Sequence, residues 1–220
     1  MIEVSPPDGK LGKFRKKAAV GIPLFAAVYV LTVYSSVTFA LLIMVVAVMS
    51  LRELHGLTRN YGYRYLIKRE QSFVVLGLLV AILVRFASLP LTLAIGLGAI
   101  ANDTLATLTG MMCGKKLIRS GLSHHSPNKS WEGAIAGVAA GTVVCGYCLG
   151  FGWRSLLVGF VASIAGVIGD LQESHMKRDI EIKDVSSSLG SHGGWTDRID
   201  NAVRAYAVGV PLYLLLHLIP

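Results

Sequence analysis

The chain has 220 residues, of which 53% are hydrophobic and only 15% are charged. A soluble domain carries about 25% charged residues, so this composition excludes an ordinary soluble protein and indicates an integral membrane protein. The net charge of +8 does not indicate a nucleic-acid partner, because the basic residues stand in short segments between apolar spans. We therefore expect membrane lipids or a polyphosphate as partners, and no nucleic acid.

The N-terminal part predicts a polar tail followed by two short spans. Residues 1–17 end in a basic run, and the apolar stretch after them exceeds the roughly 7–15 residues of a signal peptide, so we predict an uncleaved tail. Residues 18–51 carry no charge. A helix of that length would measure about 51 Å, against a hydrocarbon core of about 30 Å. The run must fold back, and Tyr34, Ser35 and Ser36 mark the turn.

Five more spans are predicted after a polar connector at 52–69, and a second polar connector at 115–130 separates two of them. Their approximate limits are 73–89, 91–110, 132–151, 155–169 and 202–218. The predicted fold is thus an all-α polytopic membrane protein with about seven transmembrane helices. It divides into the tail 1–17, the N-terminal helices 18–110 and a C-terminal region 111–220.

Basic residues predict the orientation of these spans. With seven spans, 19 of the 21 lysines and arginines fall on one side, which the positive-inside rule makes cytoplasmic. We expect the N-terminus inside and the C-terminus outside, in the inner (cytoplasmic) membrane of the cell. The loop at 170–200 then lies on the cytoplasmic side.

This loop is the polar centre of the sequence, since 169–200 holds seven of the 13 acidic residues. If the sixth span continues as a helix, Asp170, Ser174, Lys177 and Arg178 share a face, and Glu173 pairs with Lys177. Asp197 and Asp200 lie three residues apart where the last span begins. Carboxylates so placed can hold a divalent cation, and oxygen ligands favour Mg²⁺. A solvated loop with ordinary salt bridges is the alternative, but so many matched groups at one membrane surface argue against it.

Three segments resemble a known family. From Ser174 to Asp200 the pattern S-x-M-K-R-x4-K-D-x-S-x2-L-G-x-H-G-G-x2-D-R-x-D resembles the long, specific signature of the phosphatidate cytidylyltransferases, or CDP-diacylglycerol synthases. Residues 126–133, SPNKSWEG, are similar to a second family segment. A weaker match begins at Asn102-Asp103-Thr104. Together they cover about residues 100–204.

The resemblance implies Mg²⁺-dependent transfer of cytidylyl from CTP to phosphatidate, forming CDP-diacylglycerol and pyrophosphate in a catalytic region 111–220. It assigns Asp170, Asp197 and Asp200 to the metal. The predicted catalytic residues are Asp170, Lys177, Arg178, Lys183, Asp184, His192, Asp197, Arg198 and Asp200. The predicted substrate-binding residues are Asp103, Ser126, Lys129, Ser130, Ser174, Gly193 and Gly194.

The family is generally longer, with more spans before the matched region. A catalytically inactive relative that binds lipid or nucleotide is therefore the main alternative function. A transporter that uses Asp103, Arg85 and Asp170 is weaker, because the charges concentrate in one cytoplasmic loop.

Several other features are interpreted as structural. Gly133, Gly137 and Gly141 recur every four residues, as in close helix packing, and make a homodimer a reasonable expectation. The Cys145–Cys148 spacing lies in an apolar span and indicates packing rather than redox chemistry. Arg85 is expected to snorkel to the outer interface.

Overall fold

Helices make up almost all of the structure. The computed structural model describes residues 26–62, 65–114, 116, 118, 121–123, 126–190 and 193–218. Within this part of the chain, six helices are long and apolar enough to cross a membrane, which confirms an all-α integral membrane protein. Residues 26–34 form a further helical segment, α1, which is the described part of the first of the seven predicted spans. The elements that follow are α2 (Ser36–Tyr61), α3 (Tyr65–Ala87), α4 (Leu89–Cys113), β1 (Gly121–Ser123), β2 (Ser126–Ser130), α5 (Trp131–Leu149), α6 (Trp153–Asp179) and α7 (Thr196–Leu218).

The predicted turn between the first two spans is present at Ser35, whose side chain accepts a hydrogen bond from the Val37 amide and caps α2. Arg85 secures this turn from α3. Its Nε donates to the Thr32 carbonyl and its Nη1 to the Ser36 hydroxyl, each at 2.7 Å. The expectation that Arg85 snorkels was wrong, because the last carbonyls of α1 have no partners within their own helix and offer acceptors to a buried guanidinium.

The first polar connector, 52–69, is mostly helical. Helix α2 continues to Tyr61 and α3 begins at Tyr65, so the break is far shorter than the charge pattern predicted. Leu54 and Leu57 lie three residues apart on one face of α2 and are buried, which extends the packed stripe beyond the apolar run. Glu53 therefore lies on a helix and not in a loop.

The second polar connector forms a small antiparallel hairpin. Strand β1 pairs with β2, with Gly121 opposite Ser130 and Ser123 opposite Ser126. Ser130 ends β2 and caps α5, since its hydroxyl accepts from the Gly133 amide at 3.1 Å. Lys129 directly precedes this cap, so its backbone position is set by the junction of β2 with α5.

The predicted glycine ridge on α5 is a packing surface within the chain. A Cβ at Gly133 would lie 2.6 Å from the Ala106 carbonyl oxygen, and one at Gly141 would lie 2.9 Å from the Gly98 carbonyl oxygen. Helices α4 and α5 can approach this closely only because side chains are missing there. The expected homodimer loses its basis at this ridge, because α4 already covers it.

The described parts of the connectors at 52–69, 115–130 and 170–200 lie at one end of the bundle, as the basic residues predicted. We call this the polar end: the carboxyl ends of α2, α4 and α6, the amino ends of α3, α5 and α7, and the segments that join them. Contacts that close it include Arg69 with the Gln172 carbonyl and Lys129 with Asp170. An apolar cluster that contains Met176, Val185 and Val203 underlies this end.

Candidate active site

Three carboxylates gather at the polar end. Asp170 and Glu173 stand three residues apart on α6 and so share a face, and Asp200 reaches them from the first turns of α7. One oxygen from each lies within 4.8 Å of the others. Gly169 allows the approach, because a Cβ there would lie 2.9 Å from the Asp200 carbonyl oxygen. We call Asp170, Glu173 and Asp200 the carboxylate cluster.

The cluster is short of hydrogen-bond donors. Glu173 is 1% exposed, and among the described residues its Oε1 has no hydrogen-bond partner. Lys177, one turn further along α6, lies 3.3 Å from its other oxygen, and Lys129 pairs with Asp170. Carboxylates this close repel one another unless a cation compensates their charge or they share a proton. The all-oxygen donor set and the unpartnered buried oxygen therefore fit a hard cation such as Mg²⁺.

A cavity of about 350 Å³ adjoins the cluster, and Asp170 belongs to both. This volume lies within the roughly 300–1,000 Å³ of small-molecule sites. Residues from α4, β1, β2, α5, α6 and α7 line it. The predicted substrate-binding residues Asp103, Ser126, Lys129 and Ser130 are all in its wall. The two family-like segments at 102–104 and 126–133, which are separate in the sequence, thus line the same cavity.

The cavity wall carries charges of both signs. Asp103 interacts through space with Asp170, Lys129 and Arg198. Lys129 also acts on Asp200. The wall can therefore accept a polyanion near Lys129 while its carboxylates retain a cation.

Asp197 has surroundings unlike those of the cluster. Its carboxylate accepts hydrogen bonds from the backbone amides of Val185 at 3.1 Å and Gly194 at 2.7 Å, and from Lys177 at 2.9 Å. These donors close the segment between α6 and α7 onto the start of α7. Its role as a metal ligand stays a prediction.

The other predicted residues of α6 and its loop occupy varied positions. Ser174 lies on the same face of α6 as Asp170, as the spacing predicted. Arg178 is exposed and donates to the Ile182 carbonyl at 3.0 Å, beyond the end of its helix. Lys183 and Asp184 are exposed on the segment that follows.

The residues around the glycine pair are more enclosed. Gly193 and Gly194 are buried, and Gly193 adopts a φ of +80°, a conformation that favours glycine, while its carbonyl accepts from the Leu189 amide. Arg198 is exposed near the start of α7. His192 lies outside the described residues.

Sequence reasoning missed three acidic residues at this end. Glu173 was assigned only to its pairing with Lys177, although its spacing from Asp170 also signals a shared face. Glu70 on α3 pairs with Arg204, and both are buried. Arg204 also donates to the Asp200 carbonyl at 3.1 Å. Glu53 on α2 binds the segment before α7.

Comparisons with known proteins identify the family of the chain. A model of the cytidylyltransferase family matches residues 71–218. The phosphatidate cytidylyltransferase of Mycobacterium leprae (strain TN) is 33% identical over 125 residues, which cover 54% of this chain and 39% of that protein. The phosphatidate cytidylyltransferase of Helicobacter pylori (strain J99) is 37% identical over 123 residues, or 53% of this chain and 44% of that one. Phosphatidate cytidylyltransferase 4, chloroplastic, of Arabidopsis thaliana is 38% identical over 112 residues, which cover 48% of this chain and 28% of that protein. The chain thus spans less than half the length of these curated relatives.

Proposed function

Since the chain belongs to the cytidylyltransferase family, we propose that it transfers the cytidylyl group of CTP to phosphatidate at the polar end of its bundle. The observation that carries this proposal is the position of Asp170, which is shared by the carboxylate cluster and the cavity wall. A cation site that opens directly onto a charged cavity suits a nucleoside triphosphate. The names of the relatives supply the lipid substrate.

We assign the cavity to CTP. Ser126 and Ser130 offer hydroxyl groups there, and Lys129 offers an ammonium group that now pairs with Asp170. A bound triphosphate competes with Asp170 for this ammonium group, so Lys129 can move between the two anions without leaving the site. Arg198, which is exposed near the start of α7 and acts electrostatically on Asp103, would add a second positive charge.

We propose Asp170, Glu173 and Asp200 as the residues that hold Mg²⁺. Asp197, which the sequence also predicted as a metal ligand, shares Lys177 with Glu173. When bound, Mg²⁺ neutralises charge on the phosphoryl oxygens and on the leaving pyrophosphate. Lys177, which is partly buried between Glu173 and Asp197, offsets negative charge on the cluster.

The proposed reaction needs no strong base from the protein. A phosphate monoester has a second pKa of about 6, so the phosphatidate oxygen is already ionised at neutral pH. This oxygen forms a bond to the α-phosphorus of CTP while the bond from that phosphorus to the bridging oxygen of the β-phosphate breaks. Pyrophosphate leaves with the electron pair, and CDP-diacylglycerol remains. The side chains are required to orient the two anions and to compensate their charge.

We also propose that the polar end faces the cytoplasm, where CTP is available, and that phosphatidate enters from the surrounding lipid. The exposed apolar faces of the helices, such as Val37, Leu41 and Val45 on α2, would contact acyl chains. A reporter fused after Pro220 should then appear outside the cytoplasm. A cytoplasmic reporter signal would contradict this orientation.

The direct test is conversion of labelled CTP and phosphatidate by the full chain purified in detergent with Mg²⁺. We expect CDP-diacylglycerol and pyrophosphate in equal amounts, and no product when Mg²⁺ is chelated. A protein that binds both substrates, yet makes no more product than an Asp200→Asn variant, would instead be an inactive accessory relative.

A further inference from the structure

Glu53 has an unusually complete set of donors for a carboxylate on a membrane-spanning helix. Within the described chain, its two oxygens accept hydrogen bonds from five donors, and all five belong to residues 186–196. Oε1 accepts from the Ser186 hydroxyl at 2.6 Å, the Trp195 amide at 3.0 Å and the Ser188 hydroxyl. Oε2 accepts from the Thr196 amide at 3.0 Å and the Thr196 hydroxyl at 3.1 Å.

These contacts hold the amino end of α7. The Trp195 and Thr196 amides lie where the helix begins, where backbone N–H groups lack partners within the helix and the helix dipole favours a negative charge. Gly194 permits the approach, because a Cβ there would lie 2.7 Å from Glu53 Oε2. Asp197 and Asp200 follow within the next turn, so the position of Glu53 determines where their carboxylates point.

The segment before α7 is held from two sides. Asp197 binds the Val185 and Gly194 amides from within the site, whereas Glu53 binds the neighbouring residues from α2. Helix α2 lies outside the region that matches the family, which begins at residue 71. Helix α2, which supplies none of the cluster's carboxylates, thus holds the segment that leads into Asp200.

We propose that Glu53 is a positioning residue, which fixes the amino end of α7 and thereby the Asp200 carboxylate of the cluster. The effect of Glu53 on the structure rests on the hydrogen bonds alone. Its effect on Mg²⁺ binding and turnover rests on the proposed function. Glu53→Gln keeps the size of the side chain but replaces one acceptor oxygen by a donor NH₂ group, which cannot bind a backbone N–H. At least one of the two oxygen positions then loses its amide partner.

Hydrogen exchange measured by mass spectrometry tests the structural part on the full chain in detergent without substrate. In Glu53→Gln we expect faster exchange in peptides that span 185–197, and unchanged exchange in α4 and α5. Glu181→Gln is the matched control, because Glu181 is exposed on the same connecting segment. Its exchange should equal that of the unmodified chain.

The Mg²⁺ dependence tests the positioning of Asp200. Loss of a group that orients a metal ligand costs about 10–100-fold in metal affinity or activity. We therefore expect the half-saturating Mg²⁺ concentration to rise about 10–100-fold in Glu53→Gln, both in turnover and in protection from thermal unfolding by MgCl₂. A variant that merely contains less folded protein would keep the normal half-saturating concentration.

Two results would overturn the inference: normal exchange of 185–197 in Glu53→Gln, or faster exchange there with an unchanged Mg²⁺ requirement. If the unmodified chain makes no product at all, the proposed function fails. Exchange and Mg²⁺-dependent thermal unfolding would then still decide whether Glu53 positions the cluster.

Discussion

Two groups of carboxylates lie at the polar end, and the protein surrounds them in opposite ways. Glu53 and Asp197 accept hydrogen bonds from backbone amides and hydroxyls of the segment between α6 and α7. In the carboxylate cluster, by contrast, the buried Glu173 retains an oxygen without a hydrogen-bond partner among the described residues. A carboxylate whose oxygens are saturated with backbone donors holds the backbone in place, whereas a buried carboxylate oxygen that lacks a donor is available to a cation.

Lys177 joins the two groups. Its ammonium nitrogen lies 3.3 Å from Glu173 and 2.9 Å from Asp197. A shift of the segment between α6 and α7 that moves Asp197 can therefore move Lys177 and change how well it compensates the charge of Glu173. The variants below separate the two roles that this comparison assigns.

The largest effect is expected from the cluster itself. Asp200→Asn removes one negative charge from the proposed metal site, and we expect turnover to fall on the order of 10²–10³-fold, as for other groups that stabilise charge at a reacting centre. The rise in melting temperature that MgCl₂ produces should disappear as well, because that rise depends on metal affinity. Initial rates with labelled CTP and thermal unfolding with and without MgCl₂ measure the two effects.

Asp179→Asn provides the control, since Asp179 is exposed at the end of α6 and the change in charge is the same. It should retain normal turnover and normal stabilisation by MgCl₂. Normal Mg²⁺ binding in Asp200→Asn would mean that the cluster is not the metal site.

A smaller effect is expected at Asp197. Asp197→Asn weakens the closure of the segment but leaves the cluster's carboxylates in place, so we expect turnover to fall about 10–100-fold. Stabilisation by a saturating MgCl₂ concentration should persist, in contrast to Asp200→Asn. Loss of that stabilisation would instead support the sequence-based assignment of Asp197 as a metal ligand.

Sequence patterns were sufficient for much of this arrangement. The charge-free runs predicted most spans, and the spacing of Asp170, Ser174 and Lys177 predicted the shared face of α6, because both depend on local periodicity. The distribution of basic residues also predicted which helix ends meet. Each of these patterns is visible within a few consecutive residues or in the composition of a whole span.

The missed residues depend on contacts between distant parts of the chain. Glu53 is 143 residues before Thr196, and Glu70 is 134 residues before Arg204, so no local pattern links them. Glu53 was also placed in the polar connector 52–69, because the first charge after an apolar run was treated as the end of a span. The buried Leu54, Leu57 and Ile67 show that packing continues through that charge.

The smallest effect is expected from a single donor to Glu53. Ser186→Ala removes one hydroxyl that binds Oε1 at 2.6 Å, while the Trp195 and Thr196 amides remain. One lost hydrogen bond costs about 0.5–1.5 kcal/mol, so exchange of residues 185–197 should increase by roughly 2- to 10-fold and turnover should change less than in Asp197→Asn. Ser187→Ala, at the exposed neighbouring position, should change neither quantity. If Ser186→Ala equalled Glu53→Gln in both measurements, the Ser186 hydroxyl rather than the backbone amides would be the contact that holds α7. The contrast between carboxylates that bind backbone amides and the carboxylate cluster would then not apply to Glu53.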